Sequence, residues 1–528
     1  MRTIRTIYYI AQADLLERIR QYSFMLMIAI TMLLAYFFVP PVDAGYITMS
    51  LEQSRGVYNS AWVAGSVALS TTIFLSLFGF YLVKNSIDRD RRSRVSHIIG
   101  STPVKKLYYM IGKWCSNFIV LAIIVAFIML IALIMQWVRG EVMKVELWPL
   151  LSPFLLVTLP LMAVIASLAL LFESIKWLQG GIGNVIYFIL YMIISTSTSF
   201  EVFGISAITS DMILELSAID AHYNGNYSAG ILFQEGPTKT FVWTGVDWTV
   251  ELVLQQLSLF LVAFLIIPVT AIVFRGFKAE EDGQTRTKAK KEWMESDKEH
   301  SVPRIRPAQL TPVVIKDSFW ALVRAEWQLM MKGASLIWYM IALILCILCM
   351  TLPVTASSQW MIWPLTWIWP MLLWSGMGNK EIRFRTEFLI ASSPRYVFRQ
   401  LTAVWIAGVL LSCVTGSGMF IRFVLERNVE LLIYWVSAAI LIPSLALALG
   451  ILTRNNRAFE VIYMLLWYLG PFNKMPFLDF MGTSSKDGTT WITESSYNPL
   501  VVGFVYLLIG AALLAFSYIG RSRLTHSM

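Results

Sequence analysis

Charge is scarce in this chain. Of 528 residues only 14% are Asp, Glu, Lys or Arg, and 57% are hydrophobic. Soluble domains average about 25% charged residues, so a water-facing surface over the whole chain is excluded. Cysteine is scarce too: Cys115, Cys346, Cys349 and Cys413 each sit inside an apolar run, which argues against a disulfide framework or a metal cluster. Cys346 and Cys349 form a C-x-x-C, but within LILCILCM it reads as packing on one helix. His97, His222, His300 and His526 are scattered, with no H-E-x-x-H or comparable ligand spacing. Paired carboxylates and nucleophile–base constellations are missing, which counts against a membrane-embedded enzyme. The opening MRTIRTIYYIAQADLLERIRQ is amphipathic and lacks the small-residue cleavage site of a signal peptide.

Long apolar runs are what the chain has instead. A membrane helix needs about 20 predominantly apolar residues. Candidates lie near 22–40, 60–83, 114–138, 147–172, 180–198 and 250–274, and again near 335–354, 360–378, 401–423, 430–453, 458–472 and 499–520. The run at 458–472 is the weakest, because Gly470-Pro471 interrupts it, and dropping it would put the two chain ends on opposite sides. Basic residues mark the cytoplasmic loops: Arg2, Arg5, Arg18 and Arg20 before the first run, Lys84 to Lys106 between runs two and three, Lys380 to Arg399 between runs eight and nine, and Arg521 and Arg523 in the tail. Both termini are therefore expected in the cytoplasm. The net charge of +9 needs no nucleic-acid partner, since cytoplasmic loops account for it. Residues 275–312 are polar, mixed in charge and proline-bearing, and read as a solvated cytoplasmic linker.

The chain repeats itself. RRSRVSHIIGSTPVKKLYYMIGKW (91–114) aligns with IRFRTEFLIASSPRYVFRQLTAVW (382–405). Arg92 falls on Arg383, Arg94 on Arg385, Ile99 on Ile390, Ser101 on Ser392, Pro103 on Pro394 and Trp114 on Trp405, with Asp90 on Glu381 just upstream. More loosely, 11–23 resembles 323–335, which places Asp14 on Glu326 and Ser23 on Ser335. Each half then reads as an amphipathic helix followed by six spans. The expected fold is all-α and polytopic: two parallel, pseudo-symmetric six-helix halves with about twelve transmembrane helices. The halves are residues 1–275 and 317–528, with a linker over 276–316.

Within the first loop, Val95, Ile98, Ile99 and Thr102 follow i, i+3, i+4, i+7 spacing, which gives a helix one apolar stripe. In the second copy Phe384 and Phe388 stand at i, i+4. Pro103 and Pro394 disfavour helix in the residue before them, and Ser101-Thr102 and Ser392-Ser393 are candidate caps for the next helix. The pattern predicts a short amphipathic helix, a corner and a new helix entering the membrane. Three readings compete. One is a helix lying on lipid headgroups, its cations facing anionic lipid. Another is the major facilitator signature G-x-x-x-D-R-x-G-R-R, which fails because Lys84 and Arg91 stand where its glycines belong. The third is a docking helix for a soluble subunit, present once per half.

On the third reading the sequence resembles the permeases of type-2 ABC exporters, the ABC-2 superfamily, in a fused form resembling antibiotic and multidrug exporter permeases. The residues that carry the resemblance are Asp90, Ser101-Thr102-Pro103 and Gly112-Lys113. In the second half they are Glu381 and Ser392-Ser393-Pro394, where Ala403-Val404 replaces Gly-Lys. The resemblance implies an amphipathic elbow helix before each half, and a coupling helix between spans two and three that contacts an ATPase. Since no G-x-x-x-x-G-K-[ST] occurs, ATP and Mg would be held by two separate cytoplasmic ATPase subunits, and this chain would bind no cofactor and be no enzyme itself. The coupling residues would be Asp90, Arg92, Arg94, Val95, Ile98, Ile99 and Pro103, with Glu381, Arg383, Arg385, Phe388, Leu389 and Pro394 opposite. The expected function is export of a hydrophobic or amphiphilic substrate (drug, antibiotic, peptide or lipid) across a bacterial plasma membrane.

The path is weakly marked. Ionisable groups inside spans are functional candidates by default, but Glu173, Glu251 and Arg422 all lie at span ends, where interface placement explains them. Ser195, Thr196 and Ser197, with Gln255 and Gln256, form a candidate polar patch against the external segment 199–248. Trp367 and Trp369 are candidate walls, with helix packing the cheaper explanation. The alternative is a secondary transporter driven by an ion gradient, which needs a buried carboxylate or a broken-helix ion site.

Overall fold

The computed structural model describes residues 2–20, 22–42, 46–52, 54–179, 181–196, 204–220, 222–233, 239–277, 318–332, 334–353, 362–384, 386, 390, 396–454, 456–472, 478–482 and 499–526. It forms two compact units, Met1–Pro307 and Ala308–Met528. The chain is mostly helical. Among the described residues seven helices are long and apolar enough to cross a membrane, and four shorter apolar helices accompany them at Met27–Phe37, Ile182–Ile194, Trp338–Thr351 and Ala458–Pro471.

In the first unit an amphipathic helix α1 (Arg2–Ile19) leads into α2 (Tyr22–Phe37). Helix α3 (Ser60–Val83) starts where the Asn59 side chain accepts from the Trp62 N–H, satisfying an otherwise unpaired donor. Two short helices follow, α4 (Ser86–Arg92) and α5 (Val95–Ser101), and then the long α6 (Lys106–Arg139). The fourth apolar run is not one regular helix. It comprises α7 (Leu147–Pro153), a π-turn at Phe154–Thr158 and α8 (Leu159–Ser174), because Pro153 and Pro160 each remove a backbone donor from the i→i−4 ladder. Helices α9 (Gly181–Thr196), α10 (Ile205–Ile219) and α11 (Val250–Val273) complete the unit. Helices α3 and α8 are the enclosed members, and α11 turns most of its apolar surface outward from the unit.

The expectation of an all-α chain needs one correction. Strands β1 (Tyr46–Leu51), β2 (Ser54–Gly56), β3 (Tyr227–Phe233) and β4 (Lys239–Phe241) form a four-stranded sheet of order β3-β1-β2-β4. β1 pairs antiparallel with β2 and β3, and β2 pairs parallel with β4. The sheet joins the segment before α3 to the segment before α11. Trp62 packs edge-on against Phe241 and Trp243 beneath it, and a Cβ at Gly56 would fall 2.2 Å from the Trp62 ring. A bidentate ion pair from Arg55 to Glu141, at 2.8 and 3.0 Å, ties the sheet to the end of α6.

The second unit begins with amphipathic α12 (Phe319–Met331) and apolar α13 (Leu336–Thr351). The eighth apolar run is broken about Trp369-Pro370 into α14 (Ile362–Ile368) and α15 (Met371–Trp374). Then come α16 (Lys380–Phe384), α17 (Tyr396–Thr415), α18 (Ser417–Leu425), α19 (Val429–Thr453), α20 (Asn456–Trp467) and α21 (Pro499–His526). Gly470-Pro471 falls in a π-turn, Tyr468–Phe472, at the end of α20. There Gly470 leaves room for the returning chain, since a Cβ would lie 2.1 Å from the Leu478 carbonyl.

Candidate functional site

Gly112 and Lys113 explain each other. Helix α1 lies so close to α6 that a Cβ at Gly112 would stand 2.7 Å from Ile10 Cγ2. The missing side chain brings the two helices together, and the next residue uses that approach. Lys113 Nζ lies 2.7 Å from Asp14 Oδ1 on α1 and 2.8 Å from Asp90 Oδ1 on α4, and donates to the Ser86 carbonyl at 3.2 Å. One ammonium thus joins the helix before the first span, the helix of the loop and the start of α6.

Around it most of the polar residues are buried, and each has at least one partner. Asp14 accepts from the Ser116 hydroxyl at 2.6 Å and pairs with Arg18 at 2.9 Å and Arg89 at 3.2 Å. Arg18 also donates to Asn117. The Tyr109 hydroxyl donates to Asp90 Oδ2 at 2.6 Å. Glu173, at the end of α8, accepts from the Ile87 N–H at 2.8 Å and the Ser86 hydroxyl at 3.2 Å, so it holds the start of α4. Burial would push the Asp14 carboxyl up, but Arg18, Lys113 and Arg89 together outweigh it and hold the group well below the usual carboxylate range.

The loop helices hang from this cluster. Asn85, with φ 79, turns the chain out of α3, and Arg94, with φ 60, turns it again between α4 and α5. Both sit in the left-handed region that side chains rarely adopt. On α5 Ser96 is buried, while Val95 is 40% and Ile98 65% exposed, and Ile99 is partly exposed. Arg94 is exposed, and the Arg92 side chain lies outside the described residues. The corner forms as expected: Thr102 is extended before Pro103, and α6 begins at Lys106. The expected caps do not form there. The Ser101 and Thr102 hydroxyls donate back to the Ile98 and Ile99 carbonyls at 2.8 Å, so they close α5 rather than open α6.

The second unit carries a sparser counterpart. Glu326 on α12 accepts from Gln400 Nε2 at 2.9 Å and lies within the field of Lys380 on α16. Burial pushes its carboxyl up, and the Lys380 charge offsets this only in part. Glu381 pairs with Arg521 of α21. The repeat alignment that places Asp14 on Glu326 and Asp90 on Glu381 also places Arg89 on Lys380, so each half sets an acid of the amphipathic helix against a cation of the loop. Phe384 is exposed. The Arg383 side chain, Arg385, Phe388, Leu389 and Pro394 lie outside the described residues.

The residues expected along a path are described only in part. Ser195 and Thr196 end α9, but their side chains, like Ser197, lie outside the described residues. Gln255 is exposed, whereas Gln256 is buried against Gly204. Trp367 is buried among Trp374, Trp435 and Phe480, and Trp369 donates from Nε1 to the Trp338 carbonyl at 3.1 Å. Glu173 is corrected outright: it is 3% exposed and internally bonded, not an interfacial group. Lys84, in the sequence a basic loop residue and a mismatch to a glycine motif, is buried, donating to Asn184 Oδ1 at 2.6 Å and to the Leu178 carbonyl at 3.1 Å. Ser116, Tyr109, Arg18 and Arg89 carry no motif signal, whereas Asp14 is marked by the repeat and Lys113 by its place in Gly-Lys.

No curated protein and no solved structure matches the chain. A family model does: residues 58–223 match ABC-2 family transporter protein. The match runs from the start of α3 through α10 and contains both loop helices, Lys113 and Glu173, so this part of the chain is similar to ABC-2 family transporter proteins, and the long apolar helices suit a multi-pass membrane protein.

Proposed function

We propose that the chain is the membrane subunit of an ATP-driven exporter whose ATPases are separate polypeptides, one docking on α5 and one on the corresponding loop at 379–394. One observation carries this reading. Helix α5 presents Val95 and Ile98 outward, while α4, one turn of chain away, is tied through Asp90 and Lys113 to α1 and α6. An apolar face on a helix anchored in this way is suited to receive a push and pass it to the spans. Exposed cations such as Arg94 would steer encounter with an acidic partner surface more than add affinity.

The two six-span halves would alternate access to a path between them, with a hydrophobic or amphiphilic cargo. An ion-gradient mechanism would need a carboxylate able to take and release an ion. Asp14 and Asp90 are already held by Arg18, Arg89 and Lys113, which favours a mechanical role for them. The test is to charge both docking faces, Ile98→Glu with Leu389→Glu, and purify the complex. Loss of the ATPase subunits is expected. Co-purification with undiminished stimulated ATPase activity would overturn the docking assignment.

A further inference from the structure

The second unit holds a groove of about 760 Å³. Its mouth lies where amphipathic α12 meets apolar α13, beside Trp327, Lys332, Trp338 and Tyr339. It runs along α13 past Leu343 to Cys346, where Cys346 Sγ and Ser417 Oγ stand 3.2 Å apart. There α18 presses against α13: a Cβ at Gly418 would fall 2.3 Å from the Cys346 carbonyl. We infer that this groove binds one anionic phospholipid, its phosphate on Lys332 and one acyl chain reaching Cys346.

Three observations select that occupant. The polar-to-apolar corner at Met331–Leu336, ringed by two tryptophans and a tyrosine, belongs at headgroup level, where amphipathic rings gather. From Leu336 to Cys346 the helix rises about 15 Å at 1.5 Å per residue, half of a hydrocarbon core about 30 Å thick. The groove therefore follows α13 for about the depth of one leaflet, which suits a lipid tail. Lys332 is a cation at the mouth, and the rest of the lining is mostly apolar. Basic pockets between membrane helices select anionic headgroups.

The inference is independent of ATPase docking, and its test needs only the full chain in nanodiscs. Phosphatidylglycerol carrying a mid-chain diazirine is photolysed, and the peptide spanning Leu343–Cys346 is quantified by mass spectrometry. Labelling should exceed that by the same probe on phosphatidylcholine, and Lys332→Gln should reduce it about five-fold, the worth of one cation near an anionic surface, with Lys332→Arg restoring it. Leu343→Trp, which fills the groove from its wall, should abolish labelling from both lipids. Equal labelling by the two lipids in the wild-type chain, or labelling unaffected by Lys332→Gln in a protein of unchanged melting temperature, would overturn the assignment. The wild-type comparison stands even if every variant fails to fold.

Discussion

Asp14 and Lys113 are separated by 99 positions in the chain and by 2.7 Å in space. Each is almost fully buried, so the pair is desolvated and cannot be exchanged for water contacts. Because Lys113 also holds Asp90, displacing α4 must either break a buried ion pair or carry α1 and the start of α6 with it. The latter is cheaper, and that gives the loop a mechanical connection to the membrane helices.

Removing the shared cation should be severe. Lys113→Met removes a cation shared by two buried carboxylates, and breaking a buried pair from one side costs about 3–5 kcal/mol. Thermal unfolding in detergent should show the loss. Adding Asp90→Asn should recover part of it, since the buried charge that Lys113 had compensated is then gone.

The aligned acids should respond oppositely to pH. The Asp14 carboxyl is depressed in the folded state. Its stabilisation is therefore present above the unfolded carboxylate range and lost as pH falls through the folded value. Asp14→Asn should be clearly destabilising at pH 7, with the gap to wild type closing only in strong acid. Glu326 is raised by burial, so the folded state binds the extra proton and stability falls as pH rises from the unfolded value towards the folded one. Glu326→Gln, which keeps an acceptor for Gln400, should be neutral or stabilising at pH 7. Melting curves from pH 4 to 8 check both.

Arg94 separates docking from folding. A non-glycine residue at φ 60 carries a local strain of about 1–2 kcal/mol. Arg94→Gly relieves that strain but loosens the unfolded chain, so the net effect on stability should be small or favourable. Arg94→Val, with a β-branched side chain in the same conformation, should be unfavourable. If Arg94 also steers the ATPase, Arg94→Gly should slow association at low salt while the melting temperature holds. Binding kinetics at two ionic strengths would show it.

Gly450→Ala should disturb the second loop from a distance. A Cβ there would meet the Met377 carbonyl at 2.0 Å, and Gly378, with φ 79, faces it across the same contact. Overpacking of this kind typically costs about 1–3 kcal/mol. The backbone clash should appear as a lower melting temperature and faster exchange of amides around Lys380–Phe384.

The corner at Pro103 is legible in the sequence because it is local: proline restricts the residue before it, and Thr102 obeys. The apolar face of α5 is legible from its spacing, although only the structure shows that Ile98 and Val95 have been left uncovered. The long helices α3, α6, α11 and α19 are written in hydropathy. The break in the eighth run at Trp369-Pro370 and the π-turn after Pro153 are not, since an apolar window does not register lost backbone donors. The sheet escapes a sequence reading because its strands are short and β1 finds β3 across more than a hundred residues.

By itself the sequence determined where the apolar segments lie, that 91–114 is repeated at 382–405, and that the first copy is a basic segment with an apolar stripe. Each of those is a statement about neighbours along the chain. The tertiary structure alone decided that Asp14, Asp90 and Lys113 meet and that Glu173 supports α4. Those contacts depend on how closely and at what angle helices pack, and that was settled by a missing side chain at Gly112. Periodicity records which face of a helix is apolar. It does not record how near the next helix comes.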